Sequence, residues 1–92
     1  MTDAERVRRA DAAKRLLEDA LMAEAFASVR TAILQRIEDA PLRDRDGVHE
    51  LKLMLKLLRD VRGNLETFIR DGKIAALHIE EERKKRRFGI FP

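Results

Sequence analysis

Few residues in this chain have a type and spacing that could do chemistry. His49-Glu50 opens like the zinc-protease pattern, in which a second histidine follows the first by four positions. Position 53 is leucine, so that second imidazole is missing. His78 shares a helical face with Glu81 and Glu82. One imidazole and two carboxylates bind a divalent cation weakly, and a solvated helix face accounts for them as well. A di-iron bundle needs carboxylates projecting inward from several helices, whereas the inward positions expected here are aliphatic or Phe. Ser28 is the sole serine; it lies beside Phe26 and Val29 with no histidine nearby in sequence to activate it. The glycines stand singly at 47, 63, 72 and 89, so there is no phosphate-cradling loop. The chain has no cysteine, which removes thiol catalysis, disulfides and thiolate metal sites. The expectation is a protein without catalytic, cofactor-binding or metal-binding residues and without a small-molecule substrate.

The remaining chemistry is that of contact surfaces. Arg83, Lys84, Lys85, Arg86 and Arg87 form an unbroken run of five cations. The formal net charge is +3 with 20 basic and 17 acidic residues, so the body without this run is net acidic. A domain that wraps nucleic acid through a broad basic face would stay positive without its tail. Glu80, Glu81 and Glu82 precede Lys84, Lys85 and Arg86 by four positions each. That order favours helix-stabilising pairs of roughly 0.2–0.5 kcal/mol apiece. The run therefore reads first as a self-paired helix end and, as alternatives, as a sequence-independent nucleic-acid contact or a docking element for an acidic protein surface. Phe88, Ile90 and Phe91 follow it and are expected to fold back on the core, to dock a protein partner, or to fray without a role.

The elements that position these residues follow from helical periodicity. Val7, Ala10, Leu17 and Leu21 form one stripe, and Met22, Phe26, Val29, Ile33 and Ile37 another. The second is rotated roughly 120° from the first at 100° per residue. One straight helix cannot turn both to one core, so a break is expected near Asp19, a residue suited to capping the next helix. Ala40-Pro41 ends that second helix. Asp44 or Asp46 can cap a third, which runs to an apparent stop at Arg70-Asp71-Gly72, with Gly72 suited to a left-handed cap. A fourth helix should follow, with Ile74, Leu77 and Ile79 as its apolar contacts. The expected helices are about 3–18, 21–39, 46–71 and 74–87 in a single helical domain of residues 1–87, followed by an apolar tail at 88–92.

The third helix carries the widest apolar face. Val48, Leu51, Met54, Leu55, Leu58, Val61, Leu65, Phe68 and Ile69 form its stripe, and Leu53 and Leu57 widen the arc to roughly 220°. One neighbouring helix covers only about 100°. Leu53, Leu57 and Val61 are therefore the expected oligomer interface. Mid-helix Gly63 lies opposite the stripe and reads either as a neutral position, the favoured reading, or as one that lets another backbone approach. Arg6, Arg8, Arg9, Lys14 and Arg15 make the first helix basic, and pairs such as Lys56 with Asp60 read as solvated.

Size and composition fit this picture. The 92 residues include 41 hydrophobic ones, of which 12 are alanine, enough for one modest core. Charged residues are 40% of the chain, and no apolar run approaches membrane-spanning length. The start lacks the apolar stretch of a secretory signal. The class expected is an all-α protein: an antiparallel helical hairpin with additional N- and C-terminal helices, a small oligomeric bundle in the cytoplasm.

The run Ala10-Asp-Ala-Ala-Lys-Arg-Leu-Leu-Glu-Asp19, then Glu24-Ala-Phe26 and Val29, then Leu55-Lys-Leu-Leu-Arg-Asp-Val-Arg62, then Asp71-Gly-Lys-Ile-Ala75 carries a resemblance. Across about residues 10–77 the chain resembles small helical proteins encoded beside the head and DNA-packaging genes of tailed phages and prophages. The resemblance implies virion assembly or DNA packaging in a bacterial host and assigns no functional residue.

Overall fold

The computed structural model describes residues 1–87 and Gly89. Among the described residues the protein is all-α. It has three helices, α1 (Asp3–Glu18), α2 (Ala20–Asp39) and α3 (Arg45–Arg87), and no strand. Each helix start has a side chain that accepts an otherwise orphan backbone N–H. The Glu5 N–H donates to Thr2 Oγ1 at 3.1 Å, and the hydroxyl donates to Glu5 Oε1, a variant of the capping box. Asp19 is extended, with φ −70° and ψ 123°, and accepts the Met22 N–H at 2.8 Å. Asp44 accepts the Gly47 N–H at 3.0 Å, and its backbone carbonyl accepts the Val48 N–H. Ala40, forced out of the helical region by Pro41, ends α2 at ψ 139°.

The chain falls into two compact units. One joins Met1–Leu16 to the part of α3 from Leu65 onward; the other is Leu17–Asn64. The first is a close crossing of small residues. Ala10, Ala13, Gly72 and Ala75 are its buried positions. A Cβ placed on Gly72 would strike the Ala10 methyl and come within 3.3 Å of the Arg6 carbonyl oxygen. The Arg9 guanidinium lies 4.2 Å from the centroid of the Phe68 ring and 3.6 Å from the Asp71 carboxylate. His78 Nδ1 stands 3.7 Å from Asp3 Oδ2. Position numbers rise along α1 as they fall along α3, so the two segments run antiparallel.

This crossing corrects the four-helix expectation. The third helix does not end at Arg70-Asp71-Gly72, and no separate fourth helix begins at 74; α3 is continuous for 43 residues. Gly72 does not take a positive φ, which among the described glycines belongs to Gly89 alone. It is glycine because the Ala10 methyl of the neighbouring helix occupies the space a Cβ would need. The apolar contacts change accordingly. Ala75, rather than Ile74 or Leu77, turns inward, and those two are exposed while Ile79 is half-buried.

The second unit packs Phe26, Ile33 and Ile37 of α2 with Val48, Leu51, Leu55 and Leu58 of α3. Ile33 alone among them is buried; the others are half-buried. Leu21, assigned by its periodicity to the stripe of the first helix, belongs to α2 and is exposed, as is Val29. This is a thin core, with no large side chain sealed completely from solvent.

Candidate functional site

The broad apolar arc of α3 divides in two. Val48, Leu51, Leu55 and Leu58 turn toward the core of their unit. Leu53, Leu57 and Val61 stay 47%, 63% and 52% exposed, and Met54 joins them at 45%. Spacings of four residues keep Leu53, Leu57 and Val61 on one helix face, with Met54 at its edge. The result is three turns of aliphatic and thioether surface on an α-helix whose backbone hydrogen bonds are internally satisfied. Such a face offers van der Waals contact and the release of hydration water, and nothing that moves a proton or an electron. The sequence expectation counted Met54 as core stripe; its exposure corrects that and lengthens the face.

The other anticipated residues fall elsewhere. Arg83, Lys84, Lys85, Arg86 and Arg87 form the last turn and a half of α3, and all five are exposed. Glu80 Oε2 lies 3.9 Å from an Arg83 nitrogen, a pair spaced by three residues. Phe88, Ile90 and Phe91, the anticipated docking residues, lie outside the described residues. His49 is exposed, and among the described residues no three His, Asp or Glu side chains gather where they could hold a metal ion. Among the described residues no helix is long and apolar enough to cross a membrane.

The Leu17–Asn64 unit also holds a feature that sequence reading did not pick out. A groove of about 570 Å³ runs between α2 and α3, floored by Ala23, Phe26, Ala27, Leu55 and Leu58. Its rim is Arg30 from α2 with Lys52, Lys56, Arg59 and Arg62 from α3, and no carboxylate lines it. The signal was present as basic residues at 52, 56, 59 and 62, a helical spacing of four, three and three. Considered as separate pairs with nearby acids, these residues did not show themselves as one ridge.

No protein-family model, curated protein or solved structure matches this chain.

Proposed function

We propose that this chain is a non-enzymatic assembly protein that self-associates through the α3 face of Leu53, Met54, Leu57 and Val61. The observation that carries the reading is that four large apolar side chains in successive turns remain about half exposed beside a thin core. In this reading α2 and the first half of α3 form an antiparallel hairpin, and the hairpin presents the seam.

Magnitudes set the strength of the contact. Completing the burial of a half-exposed Leu, Met or Val gains about 1 kcal/mol, so four from each of two copies gain about 8 kcal/mol gross. Association costs of order 4–15 kcal/mol in lost freedom. The seam alone therefore supports a concentration-dependent oligomer rather than a permanent one. Replacing Leu53→Glu together with Leu57→Glu should reduce the mass measured by light scattering to that of one chain, with helical circular dichroism retained. An unchanged mass with the double substitution removes the seam from this account.

The setting we propose, virion assembly or DNA packaging in a bacterial host cytoplasm, rests on the sequence resemblance over residues 10–77. Docking of a further protein by Phe88, Ile90 and Phe91 rests on half the aromatic residues lying in the last five positions. Nucleic-acid contact through residues 83–87 is the weaker reading. Those cations are exposed, but Glu80 stands beside the first of them and the rest of the chain is net acidic.

A further inference from the structure

We propose that the groove between α2 and the first half of α3 receives an acidic amphipathic helix of a partner protein. Two features of the groove define this occupant. Phe26, Leu55 and Leu58 form an apolar floor that a partner must cover with apolar side chains. Arg30, Lys52, Lys56 and Arg59 form a rim that a partner must meet with carboxylates. An amphipathic helix with an apolar stripe flanked by Glu or Asp supplies both from one element. The length fits as well. Positions 52 to 62 span about 15 Å of helix, close to three turns, the reach of the i, i+3, i+4, i+7 anchors by which a helix lies in a groove. Docked there, it would make the two-helix unit a three-helix one and supply what the thin core lacks.

Other occupants fit less well. A nucleic-acid duplex would satisfy the rim, but would lay charged backbone over Phe26 and the two leucines. A second copy of this chain offers no acidic helix of three turns. Its α1 is rich in arginine, and its Glu80, Glu81 and Glu82 lead directly into five cations. The groove is also separate from the self-association seam. Lys52, Lys56 and Arg59 lie roughly 140° around α3 from Leu53, Leu57 and Val61, so the proposal stands whether or not the chain self-associates.

The test uses the full chain and a labelled synthetic peptide of about 18 residues, with Leu at i, i+3, i+4 and i+7 of each repeat and Glu at most other positions. The control is a peptide of the same composition permuted to have no apolar face. The amphipathic peptide should bind saturably, at least about ten-fold more tightly than the permuted one. Lys52→Glu with Lys56→Glu should weaken it by at least about ten-fold. Backbone amide shifts on titration should cluster at Ala23, Ala27, Arg30, Lys56 and Arg59. Should the double variant lose helicity, Arg30→Glu on α2 carries the same comparison. Four outcomes would overturn the proposal. These are no saturable binding, equal binding of the two peptides, shifts centred on Leu53, Leu57 and Val61, or displacement of the peptide by a random-sequence DNA duplex that shifts the same rim amides.

Discussion

Gly63 and Gly72 sit nine positions apart in one helix and have opposite reasons to be glycine. A Cβ on Gly63 would meet nothing within 4 Å, so the helix carries the entropic cost of glycine there without return. Gly63→Ala should raise stability by about 0.5–1 kcal/mol. A Cβ on Gly72 would collide with the Ala10 methyl, which is fixed to the α1 backbone and cannot swing away. Gly72→Ala gains the same propensity but forces the helices apart at an overpacking cost of about 1–3 kcal/mol. The expected net is a loss of up to about 2.5 kcal/mol. Urea midpoints with unchanged slopes would measure both; a Gly72→Ala protein as stable as the parent would show that α1 and α3 do not approach so closely. The sequence showed Gly63 on the face away from the stripe. It did not distinguish at Gly72 between a glycine that turns the chain and one that admits a neighbour. A clue was available in the small residues on both sides of the contact, Ala10 and Ala13 on α1 and Ala75 three positions after Gly72.

At the scale of the elements, helix boundaries were legible where a residue type forces them. Asp19 was readable because the apolar stripe changes face there and the residue can cap; its carboxylate does accept the Met22 N–H. Replacing Asp19→Ala should cost about 1 kcal/mol by removing that acceptor. Asp19→Asn should recover most of the loss, measured as the midpoint of thermal unfolding. If the alanine variant melts with the parent, the cap contributes no net stability. The candidate face on α3 was legible for a geometric reason. An apolar arc of roughly 220° exceeds what one neighbour can cover, so some of it had to stay exposed, and Leu53, Leu57 and Val61 did. The groove was not legible, because its ridge becomes one feature only when α2 brings Arg30 and Phe26 beside Lys52, Lys56 and Arg59. Charge patterning along one helix does not contain that juxtaposition.

For the whole molecule, the thin core links stability to association. Anything that binds the folded chain and not the unfolded one raises the melting temperature with concentration. Self-association through Leu53, Met54, Leu57 and Val61 therefore predicts a Tm that climbs as the protein is concentrated. The Leu53→Glu, Leu57→Glu protein should show a flat Tm over the same range. A parent Tm independent of concentration would mean that the exposed face serves a different partner. The contacts of α1 also bear on the order in which the chain comes together in time. Arg9 meets Phe68, Ala10 meets Gly72 and Asp3 meets His78, so these pairings between α1 and α3 join residues roughly sixty positions apart or more. The α2 and α3 segments of the other unit are joined by the few residues around Pro41 and close a far shorter loop. On a ribosome, α1 is made well before its counterpart in the second half of α3. Its small-residue face thus waits uncovered until that distant stretch has been translated and released.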